Sequence, residues 1–486
     1  MTRLAVLSAL ALAAAAGPAL ADLSADDLWQ SWQDLASLHG ATLVAGAVED
    51  TGSGLRLRDL DLTVTVMKSA TVKATFPDLT LTETGGKVAI LYPEAIALDA
   101  AVTDPNGITT TATGQTRLTG AEVVAEDDGG VIAYAFDIDA MTTALRSEMP
   151  VPVEAGGGQM VSTTDLVLSA IAGTARQMTG ADLGRWSKVY SIQTVTARTV
   201  DTGPMPGMRA TSDSVIETVT GSGSGDFTGG VFRTVELTNR FGSQRQSAEQ
   251  SGPGGNFSFV SQAGAGTTTV AASPAGAEMS VSGTDAILDV TVAALPAPLH
   301  FELGTVSFDG RVPFDLSGGP QDFAAAVTLD GLRAGDSVWA LFDPMNHIDH
   351  GPGRLSFDVT GSVDKAPVLS PLPPEMRPPF NFRQVTLNRL DLVAGGAHLQ
   401  GKGAVDIAPD ANGLPDPVGK LSLSVVNGLA LLQGLGAAGI IPQDQMMGVQ
   451  MMLGAMTRPE GDGDRLVTEI EFLGNQQVTV NGIQVR

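Results

Sequence analysis

The sequence predicts a mainly β protein: long antiparallel meanders forming a curled or groove-like sheet, with a few short capping helices. Three observations predict it. Apolar and polar residues alternate with period two along much of the chain. Ile132, Tyr134, Phe136 and Ile138 share one side, for example, with Asp137 and Asp139 on the other, the pattern of a sheet with one apolar and one wet face. Turn-forming strings such as Pro105-Asn106-Gly107, Asp128-Gly129-Gly130 and Gly318-Gly319-Pro320 separate these runs at hairpin spacing. Against many strands, three segments read as helices: residues 26–39, 336–342 and 443–457.

The chain opens with a secretory pattern. Arg3 precedes an apolar run over residues 4–16, Gly17-Pro18 breaks it, and Ala19-Leu20-Ala21 places small residues at a cleavage site. Residues 1–21 therefore read as a signal peptide, with a mature start at Asp22 and a periplasmic location. Later apolar stretches are too short for a spanning helix, and the longest, residues 428–441, contains Gln433. With 4 Trp and 3 Tyr, the aromatic girdles of a membrane barrel are missing as well. Stability comes from burial, because the chain has no cysteine to cross-link.

Residues 22–204 read as an N-terminal helix followed by a β-meander. Ser24 is the expected N-cap, Asp26 and Asp27 sit in the first turn, Leu28, Trp32 and Leu35 form an apolar stripe, and Gly40 stops the helix. In residues 55–62 the leucines occupy odd positions until Leu57 and even ones from Leu60. Residues 385–392 make the same switch at Leu390, and a related slip occurs at Gly304. A one-residue phase change turns the apolar set outward unless the strand bulges or restarts there. The first two switches each follow a helix and a strand, which reads as a weak internal duplication.

Residues 205–277 read as a central β region rich in Gly, Ser and Thr, whose Gly221-Ser222-Gly223-Ser224-Gly225 string reads as loop or weakly packed strand. Residues 278–366 return to a meander with a short helix. Residues 367–379 carry six prolines and read as an extended linker. Residues 380–486 form a last β region with the Met-rich helix.

The formal charge is −25, a field that disfavours nucleic acid and anionic headgroups as partners. His347 and His350, with Asp343 or Asp349, are the one histidine cluster. They read as a polar loop, because zinc takes three protein ligands as a rule, so no metal and no cofactor are expected. Residues 460–464 carry alternating acidic residues without the spacing of a calcium loop and read as a solvated turn. Catalytic elbows, phosphate loops and dinucleotide fingerprints are missing, so the expectation is a protein that is not an enzyme.

Trp339-Ala340-Leu341-Phe342-Asp343-Pro344 followed by residues 355–361 (LSFDVTG), then Gly419-Lys420-Leu421-Ser422-Leu423-Ser424 through Gly439-Ile440 and Val478-Thr479-Val480-Asn481-Gly482-Ile483, resembles a family of Gram-negative envelope proteins catalogued as domain of unknown function 2125. That family is similar in pattern to the AsmA/TamB-like superfamily, and the resemblance implies a β-groove that carries lipid through the periplasm. A cleaved N-terminus departs from the tethered members of that superfamily, so the expectation is a soluble lipid-binding or envelope-maintenance role. The expected ligand is phospholipid or another apolar molecule, held on a face carrying Leu60, Leu62, Val64 and Val66 with Leu390 and Leu392. The helix bearing Met447 and Met451 reads either as an ordinary core helix or as a lid that would close one end, since methionine suits varied apolar partners. The alternative is a structural or interaction scaffold for other envelope proteins, whose sheet closes on its own core.

Overall fold

The computed structural model describes residues 22–66, 70–104, 107–151, 157–205, 207–252, 255–314, 319–364, 382–409, 415–461 and 465–485. Residues 1–21, read from the sequence as a signal peptide, residues 367–379, read as a linker, Asp462 and Asp464 of the expected acidic turn, and the side chain of Val66 lie outside the described residues. The chain divides into two units: one runs to Ala265 and takes in Thr291–Ala294, the other holds Gly266–Val290 and Leu295–Arg486. The architecture is mainly β, with antiparallel pairing throughout and four short helices among the described residues.

The first unit begins with α1 (Ala25–Leu38). Ser24 caps it, its hydroxyl accepting from the Asp27 backbone N–H at 3.0 Å, with Asp26 and Asp27 in the first turn, as the pattern predicts. Fourteen strands follow: β1 (Thr42–Asp50), β2 (Gly54–Val66), β3 (Ala70–Thr84), β4 (Lys87–Leu91), β5 (Ile96–Thr103), β6 (Thr109–Thr119), β7 (Glu122–Asp127), β8 (Val131–Pro150), β9 (Gln159–Met178), β10 (Arg185–Thr202), β11 (Arg209–Asp226), β12 (Thr234–Phe241), β13 (Gln244–Ser251) and β14 (Phe257–Ala263). Their core joins Leu28 and Trp29 of α1 to Leu57, Leu60, Leu81, Val88, Ile132, Tyr134 and Ile171. In the central Gly/Ser/Thr-rich region the 221–225 string, read as loop or weakly packed strand, lies wholly within β11.

Pairing in the lower half of this unit runs β2–β3–β4–β7–β8–β9–β10. A flat sheet would hold β2 and β10 roughly 29 Å apart, at about 4.8 Å per strand. Yet Leu60 and Leu62 of β2 line the same cavity as Trp186 and Lys188 of β10. The sheet therefore curls around α1.

The second unit holds β15 (Gly266–Ser273), β16 (Gly276–Val292), β17 (Leu299–Pro313), β18 (Gln321–Ala334), α2 (Asp336–Phe342), β19 (Gly353–Val363), β20 (Phe382–Ala394), β21 (Ala397–Pro409), β22 (Pro415–Val426), α3 (Gly428–Ala437), α4 (Gln443–Met456), β23 (Arg458–Glu460), β24 (Arg465–Gly474), β25 (Gln477–Val480) and β26 (Ile483–Gln484). Helix α3 is an element that the sequence reading passed over as a mere apolar stretch.

The two phase changes are solved differently. At Leu60 no residue is inserted, since Arg58 pairs with Asp78 and Leu60 with Phe76 in one unbroken register. Instead Asp59 takes a left-handed backbone (φ 47°), and β3 changes phase at the same level, from Ala74 and Phe76 to Leu79 and Leu81, all four buried. Both strands turn over together, so their apolar sets stay on one side. The same device recurs where Ala170 and Thr218 adopt positive φ on alternate strands of β8–β11. At Leu390 the strand bulges: register shifts between Leu387 and Leu390 against β21, and between Asp358 and Val359 against β19.

Candidate functional site

Helix α1 sits where the curled sheet of the first unit leaves room, and a cavity of about 490 Å³ opens between them. The helix contributes Trp32, Leu35 and Ala36, one face of its apolar stripe. β2 supplies Leu60, Leu62 and Val64, and β3 supplies Phe76 and Leu79. Two hydrogen bonds position the helix start: the Ala25 backbone N–H donates to Glu83 Oε1 at 2.6 Å, and Leu23 N–H to the Gly86 carbonyl at 3.2 Å. Further along, Trp32 Nε1–H donates to the Tyr134 hydroxyl at 2.6 Å, which ties α1 to β8. Burial pushes the Tyr134 phenol pKa up, and that of Tyr92, also on the wall, up to about 12. Both stay neutral hydrogen-bonding groups at any ordinary pH.

The opposite wall is a block of four strands in register. Tyr134 of β8 faces Ala175 of β9, which faces Lys188 of β10, which faces Gly223 of β11. In the next row Ile132, Gln177, Trp186 and Gly225 stand side by side. Glycines alternate along β11 because rings lie across it. A Cβ on Gly225 would meet Trp186 Nε1 at 2.5 Å, and one on Gly221 would enter the Tyr190 ring. Tyr190 reaches over Gly221 to donate its hydroxyl hydrogen to Asn239 Oδ1 at 2.6 Å.

Three basic side chains reach this wall. Arg176 pairs with Asp128. Arg185 pairs with Asp182 at 2.8 Å and with Asp226 at 3.0 Å. Among the described residues Lys188 has no carboxylate partner; its ammonium lies 5.7 Å from the Trp186 ring centre and 5.4 Å from that of Tyr190, within the range of a cation–π contact. Desolvation lowers its pKa below the ordinary lysine value. Beside it Gln177 is 3% exposed, and both its Oε1 and Nε2 are buried with no hydrogen-bond partner among the described residues.

Around the rim, His39 packs edge-on against Phe227 at 5.3 Å, and burial lowers its imidazole pKa. Asp226 accepts from the Thr228 backbone N–H at 2.9 Å, the largest cause of a carboxyl pKa lowered to about 2, with Arg185 adding to it. A carboxyl whose folded pKa lies below its unfolded value stabilises the fold above the unfolded pKa, near 3.9. That contribution is lost as pH falls through about 2. The stability gap between wild type and Asp226→Asn should therefore be constant above about pH 4 and close between pH 4 and 2. Urea titrations at stepped pH check this; a gap at about pH 2 as large as that at about pH 5 contradicts it.

Of the residues picked from sequence, Leu60, Leu62 and Val64 line this cavity. Leu390, Leu392, Met447 and Met451 belong to the second unit. On β20 the side chain that turns inward is not a leucine. Leu392 is 36% exposed, whereas Asp391 between the two leucines is 6% exposed and meets Arg354, Arg389 and His398 at 3.2–3.4 Å. The bulge re-aims β20 so that the charged residue takes the buried place, and its two arginine neighbours and the His398 ring make that tolerable. Met447 and Met451 are 69% and 66% exposed, on a helix with no buried residue, so α4 is not a core helix.

His350 and Asp343 form a structural knot. Asp343 is fully buried and accepts from the His347 and Ile348 backbone N–H groups at 2.9 and 2.7 Å and from His350 Nε2 at 3.2 Å, while His350 stacks on Trp339 at 3.9 Å. Desolvation alone would raise the Asp343 carboxyl pKa; those donors outweigh it and hold it below the usual value. Among the described residues no cluster of three or more His, Cys, Asp or Glu has the arrangement of a metal site. Nor is any described helix long and apolar enough to cross a membrane.

Sequence reasoning missed Gln177, Trp186, Lys188 and Tyr92. A usable signal existed: Trp186-x-Lys188-x-Tyr190 has the same period as Gly221-x-Gly223-x-Gly225, and large residues paired with glycines point to rings laid across a neighbouring strand.

Fold and site together define a class: an antiparallel β protein whose first unit curls round a helix and encloses an apolar cavity with one polar corner. The chain belongs to the family described as uncharacterized protein conserved in bacteria (DUF2125), whose model matches residues 231–480. The cavity residues lie before that segment. Comparison with curated proteins and with solved structures returns no match.

Proposed function

We propose that this chain is a non-enzymatic protein of the bacterial cell envelope that binds an acyl-containing molecule in the cavity of its first unit. The observation that carries this reading is the cavity of about 490 Å³, walled by Leu60, Leu62, Val64, Phe76, Leu79 and Ile90. Its size falls in the range of small-molecule sites, about 300–1,000 Å³, which are mostly apolar with a few placed polar groups. Burying an acyl chain there gains about 25 cal/mol per Å² of apolar surface. An envelope location is supported by the secretory pattern of residues 1–21, and lipid as cargo by the resemblance to AsmA/TamB-like proteins. The acidic charge argues against nucleic acid.

A second reading, a scaffold for another envelope protein, is favoured by α4, whose Met447, Met451 and Met452 are each at least 60% exposed.

Native mass spectrometry of protein purified from its own cells, with uptake of a fluorescent acyl probe by delipidated protein, separates the two. Wild type should carry or take up one acyl compound, and Val64→Trp, which fills the cavity, should lose it. Protein that neither retains nor takes up an acyl compound supports the scaffold. A Val64→Trp variant that binds like wild type removes the cavity from the account.

A further inference from the structure

We propose that the ligand of this cavity is a single-chain amphiphile ending in a carboxylate, with its tail along Leu60, Leu62 and Val64 and its head between Lys188 and Gln177. The inference rests on the acyl-binding reading and adds the chemistry of the head.

Two independent features mark the head position. The first is Lys188. The chain has 53 acidic residues against 28 basic ones, so a cation without a carboxylate partner runs against the composition. Its two basic neighbours on the wall, Arg176 and Arg185, both have acidic partners. Among the described residues Lys188 has the faces of Trp186 and Tyr190 alone, which attract a cation without neutralising it. The desolvation that lowers its pKa is the mark of a charge without a counter-charge.

The second feature is Gln177. A buried primary amide with neither atom bonded is rare in a folded protein and calls for a partner. Gln177 stands opposite Trp186, and Lys188 opposite Ala175, which makes Gln177 and Lys188 diagonal neighbours on one face, about 7–8 Å apart. A carboxylate set between them accepts from the ammonium and from the amide N–H. The ammonium has further donors for the amide oxygen. Both features sit on β9 and β10, while the leucine and valine wall is on β2, so the polar corner and the apolar body occupy facing walls of one space. The cavity, about 490 Å³, lies in the lower half of the small-molecule range, which fits one chain better than the two of a phospholipid.

The test uses full-length delipidated protein, titrated by calorimetry with oleate, methyl oleate and a monoacyl phosphate. Methyl oleate keeps the tail and removes the charge. Oleate should bind at least about tenfold more tightly than its ester, a difference of about 1.4 kcal/mol, and more tightly than the phosphate. In Lys188→Met and in Gln177→Leu the oleate-to-ester ratio should fall toward one. Equal affinity for oleate and methyl oleate in wild type overturns the carboxylate head and leaves the acyl-binding reading standing. A preference for the phosphate also overturns it, in favour of a phosphorylated lipid head. A ratio unchanged in both variants places the head elsewhere and overturns the assignment. If none of the three binds, both readings fall.

Discussion

Leu60→Asp is expected to cost about 3–5 kcal/mol of stability in the first unit, the range of an uncompensated buried charge. Leu60 is 2% exposed, belongs to the core and lines the cavity, with Phe76 directly across from it on β3. The Arg58–Glu49 and Lys73–Asp61 ion pairs sit on the wet side of these strands and offer the new carboxylate nothing. Leu390→Asp should cost much less, about 1–2 kcal/mol, because Leu390 is half-buried on a bulged strand that already places Asp391 inward. Asp59→Gly should be neutral or stabilising by up to about 1 kcal/mol, since glycine accepts the left-handed backbone at φ 47° without a Cβ clash. Urea titration followed by tryptophan fluorescence suits this comparison, because Trp29, Trp32 and Trp186 lie in the first unit with Leu60, and Trp339 lies in the second with Leu390. Equal losses for Leu60→Asp and Leu390→Asp would show that the register of β2 is not as described.

Removing Tyr134 should be comparably severe. Tyr134→Ala deletes a ring that is 1% exposed at the centre of the core, and large aromatic deletions of this kind cost about 3–5 kcal/mol. It also takes away the acceptor of the Trp32 indole N–H. Tyr134→Phe isolates that second effect. The ring remains, the indole loses its partner, and the expected loss is about 1–2 kcal/mol. The two variants also act differently on the cavity. Phenylalanine keeps the wall, whereas alanine widens it, so acyl-probe binding should survive in the first and change in the second. A Tyr134→Phe variant as unstable as Tyr134→Ala would mean that the hydrogen bond, not the packing, anchors α1.

Much of the framework is legible in the residues alone. The period-two alternation of β8, the Ser24 cap of α1 and the leucine phase changes at residues 60 and 390 are local signals. Each is set by the pleat of a strand or the free N–H groups of a helix end, which act over a few residues. Even the positions of the phase changes can be read directly, although their mechanism cannot. Asp59 keeps the register because its neighbour strand switches at Phe76–Leu79, and that requires knowing which strands pair.

The polar corner was out of reach for the same reason. Gln177 looks like any outward polar residue of an alternating strand until β9 is set against Ile132 and Trp186. Lys188 looks solvated until the curl of the sheet brings β10 toward α1 and β2. Conversely, the methionines of α4 and Leu392 look like core and are exposed. What the sequence determined by itself is the strand-dominated class, the caps and the places where strands change phase, because those follow from interactions between near neighbours in the chain. What only the tertiary structure decided is which faces close on each other: that a cavity forms between α1 and the curled sheet, and that a lysine and an amide without polar partners among the described residues stand as diagonal neighbours on its wall. Burial depends on the sum of twist and register over many strands, and no short segment carries that sum.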